Sequence, residues 1–220
     1  MDYGSMLGNS FGYAKEAVWG KWMKWIFLVI ATIIFPLIMG YIMEIYRGKT
    51  PAPEFEDWIK LFIDGIKLFI VQIIYAIPVI IVGLIFFGGS LALIMSGDSE
   101  ALTAAAAGTM LLGTLVMLIV AFIIGLIATF GFIRFARTDS FGEAFNISAI
   151  LAHIGAVGWG SYIIALIVLW VVMVAIGMVL GILMMIPFLG WLIVLFIDPV
   201  LMIFAARYMT HIYESAAAPA

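Results

Sequence analysis

The chain has 220 residues, of which 66% are hydrophobic and 10% charged, with a mean hydropathy of +1.27 and a formal net charge of −3. This composition lies far outside that of soluble domains. The basic residues are few and scattered, which argues against nucleic-acid binding, and without cysteine the chain forms neither disulfides nor thiolate metal sites. The composition predicts an all-α, polytopic helical bundle in the cell membrane, with the lipid bilayer as its main partner.

The N-terminal segment 1–24 mixes glycine with charged residues and lacks the apolar centre and cleavage site of a signal peptide. We expect it to lie at the membrane interface as part of the mature chain.

The first apolar run, 25–46, has basic residues on both sides, so a single crossing would place one basic cluster outside the cell. Pro36 and Gly40 interrupt the run. Two interpretations remain open. The run is either a re-entrant pair of half-helices that returns to the cytoplasmic face, or one kinked span with an external N-terminus.

Two longer stretches, 68–133 and 138–206, contain no basic residue, and each is long enough for two crossings and a turn. Lys and Arg concentrate in cytoplasmic loops, so both turns should face outward and the C-terminus should be cytoplasmic. We expect a single transmembrane domain over 1–220 with a disordered tail, 215–220. The predicted spans are 68–95, 102–133, 162–185 and 188–206.

Residues 54–67 carry Asp57, Lys60, Asp64 and Lys67 at spacings of three and four, which places them on one helix face. The pattern predicts an amphipathic helix in the headgroup region, before the chain enters the bilayer. Charges of both signs favour pairing within the helix over binding of acidic lipids.

Two stretches about 90 residues apart also read alike. Gly40, Tyr41 and Arg47 correspond to Gly131, Phe132 and Arg137, and an acidic, aromatic linker follows each. The pattern indicates an internal parallel duplication, with chance similarity of apolar sequences as the alternative.

Asp198 is the main candidate for an intramembrane polar site, because an acidic side chain near the bilayer midplane costs roughly 2.5–3.5 kcal/mol. It could have a structural role beside Pro199, bind a proton or cation, or contact a partner subunit. Gln72 lies one turn inside its span and could bridge two helices.

The remaining polar candidates are interfacial charges. Arg134, Arg137 and Arg207 should reach the membrane surface and fix orientation, and Glu44 could pair with Arg47 three residues later. Gly177 and Gly181 form a GxxxG pattern that permits close helix packing, within the subunit by frequency or between subunits.

No catalytic constellation is visible. The chain has no HExxH, no GxSxG and no phosphate-binding glycine loop. Its two histidines, His153 and His211, have no paired carboxylates nearby to complete a metal site. The sequence therefore predicts no catalytic residue, no metal and no cofactor.

Several segments together resemble a known family. They are the opening MDYG, KWMKW before the first apolar run, GYIMEIYRG, LFIDGIKLFIVQIIYAIP and RFARTDSFGEAFN. The pattern is similar to an uncharacterised archaeal membrane-protein family, domain of unknown function 4013, over about residues 1 to 213. The resemblance implies an all-helical polytopic protein and brings no activity and no site residues.

Two functions remain in view. The first is a non-catalytic accessory, scaffold or membrane-organising protein, working with a partner membrane subunit or as a homo-oligomer. The alternative is a small transporter or homo-oligomeric channel that uses Asp198. An intramembrane enzyme is the least favoured class, because no acid and base pair is apparent.

Overall fold

The computed structural model describes residues 1–97 and 99–216, where helices are the only regular secondary structure. The all-α prediction is therefore confirmed. In chain order the helices are α1 (Tyr3–Val18), α2 (Trp22–Ile33), α3 (Phe35–Tyr46), α4 (Trp58–Met95), α5 (Glu100–Thr138), α6 (Phe141–Ala144), α7 (Ile147–Val157), α8 (Trp159–Leu183) and α9 (Leu189–Glu214).

Four of these helices, α4, α5, α8 and α9, are long and apolar enough to cross a membrane. Even the shortest, α8 with 25 residues, measures about 38 Å, which exceeds the roughly 30 Å of hydrocarbon. The multi-pass character is confirmed at this level. The predicted spans fall largely within these four helices, although α5 and α9 run on to Thr138 and Glu214.

The chain divides into two compact units. The smaller unit, Ile70–Thr129, holds most of α4 and most of α5. The two helices pack closely here, because a Cβ added at Gly113 would lie 2.3 Å from the Cβ of Phe86. Most of the large apolar side chains in this unit are exposed, as expected for helices surrounded by lipid.

The larger unit, Met1–Phe69 and Phe130–Ala220, is organised around α9, against which α1, α2, α3 and α8 pack. The indole Nε1 of Trp25 on α2 donates a hydrogen bond to the carbonyl oxygen of Phe196 at 2.8 Å. Pro199, three residues further along α9, has no N–H to donate to the carbonyl oxygen of Leu195. The largest fully buried side chains of the unit include Tyr41, Phe130, Phe135, Tyr162 and Tyr208.

The run 25–46 forms two separate helices. The axes of α2 and α3 are bent by 118° at Ile34, and Pro36 lies in the first turn of α3, where its missing N–H costs no helical hydrogen bond. Ile33, Ile34 and Phe35 at the bend are exposed and apolar.

Helix α3 meets the start of α4 almost backbone to backbone. A Cβ at Gly40 would lie 1.8 Å from the carbonyl oxygen of Leu61, and a Cβ at Gly65 would lie 1.7 Å from that of Pro36. Only glycine permits this approach. The contact holds the charged first turns of α4 against the charged end of α3.

The predicted amphipathic helix 54–67 has a different form. Helix α4 begins at Trp58 and continues to Met95 without a break, so no separate surface helix precedes the span. Of its four polar residues only Asp64 is buried, between Leu61 and Leu68, whereas Asp57 and Lys60 are exposed. Asp64 is buried because it pairs with Arg47 at the end of α3.

The turn between α8 and α9 contains only apolar residues. Met185 and Phe188 are 80% and 92% exposed. At the C-terminus, the hydroxyl of Ser215 donates to the carbonyl oxygen of Ile212 at 2.6 Å, while residues 217–220 of the predicted disordered tail lie outside the described part of the chain.

Gly177 and Gly181 pack against nothing in the described chain. A Cβ at either position would meet no atom within 4 Å. The close packing within the subunit, which is the more frequent use of a GxxxG pattern, is therefore not found. Contact between subunits stays a prediction. The internal duplication also stays a prediction.

Candidate functional site

A cluster of charged side chains, which we call the ionic layer, joins the end of α3, the start of α4 and the residue that follows α5. Its members are Glu44, Arg47, Lys49, Lys60, Asp64, Lys67 and Asp139. All of them belong to the larger unit.

Glu44 is the most heavily engaged carboxylate. It lies in the last turn of α3, is 2% exposed and forms ion pairs with three basic side chains. Arg47 Nη1 and Lys60 Nζ both lie 2.5 Å from its Oε1, and Lys49 Nζ lies 2.6 Å from its Oε2. A carboxylate with so little exposure to water needs nearby cations to offset the hydration that it loses on burial. The predicted pair between Glu44 and Arg47, three residues apart, is present in the structure.

Asp64 is the second buried carboxylate, at 4% exposure. Arg47 Nη1 lies 2.7 Å from its Oδ2, and Lys67 and Lys60 approach to 3.5 and 3.9 Å along the same helix. The predicted intrahelical pairs are therefore present. One guanidinium nitrogen of Arg47 serves both buried carboxylates, and its Nη2 lies 3.4 Å from Asp139.

Two arginines near the end of α5 extend this arrangement. Arg137 Nε donates to the carbonyl oxygen of Tyr46 at 2.6 Å, and its Nη2 pairs with Glu214 at the end of α9. Gly48, with φ +86°, lies against this guanidinium, where a Cβ would approach Nη2 to 2.8 Å. Arg134 pairs with Glu143. The ends of α3, α5 and α9 and the start of α4 therefore meet at one face.

The linker 47–57 also ties the start of α2 to this region. Lys24, 5% exposed, donates to the carbonyl oxygen of Ala52 at 3.1 Å and to Glu54 Oε1 at 2.9 Å, and Lys21 lies 3.4 Å from the same oxygen. Desolvation raises the pKa of Glu54, but the hydrogen bond from Lys24 and the charges of Lys24 and Lys21 outweigh it, so the pKa is lowered below its usual value.

Arg207 lies apart from these ion pairs. It is 8% exposed, its guanidinium lies over the ring of Tyr13 at 5.0 Å, and its Nη1 has no hydrogen-bond partner in the described chain. We expected an interfacial charge, but α1 covers this residue.

Asp198 has an exposed side chain on α9, with no hydrogen bond or ion pair to another described residue. Gln72 lies on α4, partly exposed. His153 Nε2 lies 2.8 Å from the carbonyl oxygen of Tyr213, whose ring stacks on the imidazole at 3.9 Å. In residues 1–97 and 99–216, no three His, Asp or Glu side chains are placed to hold a metal ion.

The sequence patterns missed the contacts between helices. Local spacing predicts Glu44 with Arg47 and Lys60 with Asp64, whereas Lys60 with Glu44 and Lys24 with Glu54 join residues 16 and 30 positions apart. Their only sequence signal is the presence of unlike charges beside the same apolar runs. Chemically, the arrangement holds helix ends together through paired charges.

A family model described as "Protein of unknown function (DUF4013)" matches residues 25–185. The match includes FIDGIK, IYAIP and ARTDSFGEAF, and it leaves out the opening MDYG with the rest of α1, and the whole of α9. No curated protein and no solved structure matches the chain.

Proposed function

The chain belongs to the DUF4013 family of proteins of unknown function, and we propose that it is a non-catalytic integral membrane protein that serves as an accessory, scaffold or membrane-organising subunit. The observation that carries this proposal is the ionic layer. Its charges are paired with one another across helix ends, so they stabilise a fixed polar face from which long apolar helices extend. Such a face suits a structural subunit.

We also propose that α2 and α3 form a re-entrant pair. Each helix is about 18 Å long, and at a bend of 118° the two together advance only about 19 Å, which is less than the roughly 30 Å of hydrocarbon. The exposed apolar side chains at the bend suit the bilayer interior.

The contacts of the linker 47–57 support the same topology. Lys24 at the start of α2 binds Ala52, and Lys49 after α3 binds Glu44. Lys49 and Ala52 are three residues apart along the chain, a distance of at most about 11 Å. The start of α2 and the end of α3 therefore lie near the same membrane face. Eight of the ten basic residues belong to the ionic layer, to its extension by α5 or to the contact with Glu54. Because basic residues concentrate on the cytoplasmic side, this favours a cytoplasmic position for the ionic layer and for the C-terminus.

The test of the accessory role is purification of the tagged protein from its native host in mild detergent, with the stoichiometry of co-purifying proteins measured by mass spectrometry. We expect a stoichiometric membrane partner, or deformation of liposomes by the purified protein alone. A lone protein that leaves liposome shape unchanged would overturn the proposal.

One observation favours the alternative, a small transporter or homo-oligomeric channel. Asp198 lies on a helix long enough to span the membrane, and its carboxylate has no described partner. An acidic group in hydrocarbon marks an ion pathway or a subunit contact. Reconstituted wild-type protein would then conduct ions or protons, and Asp198→Asn would abolish the flux. An unchanged flux in the variant removes this candidate.

A further inference from the structure

A cavity of about 400 Å³ opens beside the first turn of α2. It combines charged groups with apolar walls, and it is separate from the ionic layer. The residues that line it are Lys21, Met23, Lys24, Phe27, Glu54 and Phe55.

The residues that line the cavity carry two cations and one anion, and the carboxylate of Glu16 on α1 adds only a weaker attraction to Lys24. Lys24 is 5% exposed and uses two of its ammonium hydrogens on Ala52 and Glu54, so one hydrogen remains for another acceptor. Lys21 shares the same Glu54 oxygen at the longer distance of 3.4 Å. Two cations therefore compete for one carboxylate oxygen, which leaves capacity for a second anion.

The walls of the cavity are apolar. Met23 and Phe27 lie four residues apart on one side of α2, and Phe55 of the linker packs edge-on against Phe27 with the ring centroids 5.9 Å apart. Trp22, next to Lys21 and Met23 in the sequence, is 68% exposed, as is typical of indoles at the boundary between headgroups and hydrocarbon. A ligand that satisfies both parts of the cavity must join an anionic group to an apolar body.

We propose that this cavity binds an anionic phospholipid, with its phosphate against Lys21 and Lys24 and its glycerol and upper chains along Met23 and Phe27. Glu54 holds the two ammonium groups side by side in the absence of lipid. The site goes beyond the proposed accessory function and does not depend on a protein partner.

The test uses the full-length chain, delipidated in detergent, and measures lipid binding by native mass spectrometry together with the melting temperature. Phosphatidylglycerol should bind and raise the melting temperature, whereas diacylglycerol with the same chains should do neither. Lys21→Ala removes a half-exposed cation without disturbing the buried Lys24, and it should weaken phosphatidylglycerol binding about fivefold. Lys15→Ala, an exposed lysine on α1 outside the cavity, is the matched control and should bind like wild type.

The variant Glu54→Gln distinguishes a lipid-binding role of Lys21 and Lys24 from a purely structural ion pair with Glu54. Loss of the carboxylate frees both lysines for phosphate, so the lipid should bind more tightly even though the lipid-free protein melts earlier. Unchanged or weaker binding in Glu54→Gln would overturn the proposal. Equal binding of diacylglycerol would do so as well, and saturation of the site by inorganic phosphate alone would assign it to a soluble anion.

Discussion

Gly40 and Gly65 lie opposite each other where α3 meets α4, and a Cβ on either would approach a carbonyl oxygen of the other helix to 1.8 or 1.7 Å. This contact sets the separation of the two helices. The ionic layer depends on it, because Glu44 and Asp64 share the same nitrogen of Arg47 only at this short distance.

Alanine at Gly65 should therefore destabilise the protein. The methyl group would force α3 and α4 apart at a backbone contact, and we expect a loss of about 2 kcal/mol or more in the free energy of unfolding. The measurement is the melting temperature of the purified protein in detergent.

Gly125→Ala is the matched control, since a Cβ there meets no described atom and alanine favours the helix by up to about 1 kcal/mol. If the two variants melt alike, the packing of α3 against α4 is not as described.

Glu44→Gln should be the most damaging change in the ionic layer. It leaves the partly buried Arg47 beside a neutral group, whereas Lys49 and Lys60 are half exposed and can be hydrated, so we expect a loss of about 1–3 kcal/mol in the free energy of unfolding. Thermal melting followed by tryptophan fluorescence would detect the loss. Glu56→Gln, at an exposed linker position, should melt like wild type. Equal melting of both variants would contradict a stabilising role for the layer.

The contact between Glu54 and Lys24 should make stability depend on pH. Because folding lowers the pKa of Glu54 below its usual value of 4.5, the carboxylate contributes stability above that value, and the contribution is lost as the pH falls through the folded pKa. The wild type should melt above Glu54→Gln at pH 7, and the difference should shrink as the pH falls below 4.5. A constant difference across this range would show that Glu54 does not act through its charge. Its side chain is half exposed, so the effect should be modest.

The re-entrant pair predicts the side of the N-terminus. Single cysteines at Ser5 and Ser99, in a chain that has none of its own, should react with a membrane-impermeant thiol reagent from opposite sides. Ser5 should be reached from the cytoplasm and Ser99 from outside. Labelling of both from the same side would instead support a single kinked span over 25–46.

Long-range hydropathy was sufficient to predict the helical membrane fold, because α4, α5, α8 and α9 each exceed the length that the bilayer requires. It could not predict which face of the first turns of α4 points inward. Lys60 and Asp64 would have the same spacing whether this face of the helix contacted water or α3. Only the position of α3 distinguishes these possibilities.

The glycines illustrate the same limit. The GxxxG pattern at Gly177 and Gly181 predicted close packing, within the subunit or between subunits, yet the backbone contact between α3 and α4 is at Gly40 and Gly65, which form no such motif. A small residue permits contact, but the neighbouring helix decides whether contact occurs. A residue's own sequence context does not contain that information.

The apolar turn between α8 and α9 has a consequence for biosynthesis. A hairpin whose tip carries charge must bring that charge through hydrocarbon, at roughly 2.5–3.5 kcal/mol for each group. Between Leu183 and Leu189 the chain has no charged or hydrogen-bonding side chain, so this hairpin can enter the bilayer tip first without that barrier. In the proposed orientation, with the turn between α4 and α5 outside, Glu100 has to be carried across when that hairpin inserts, so the two hairpins should differ in their need for the translocation machinery.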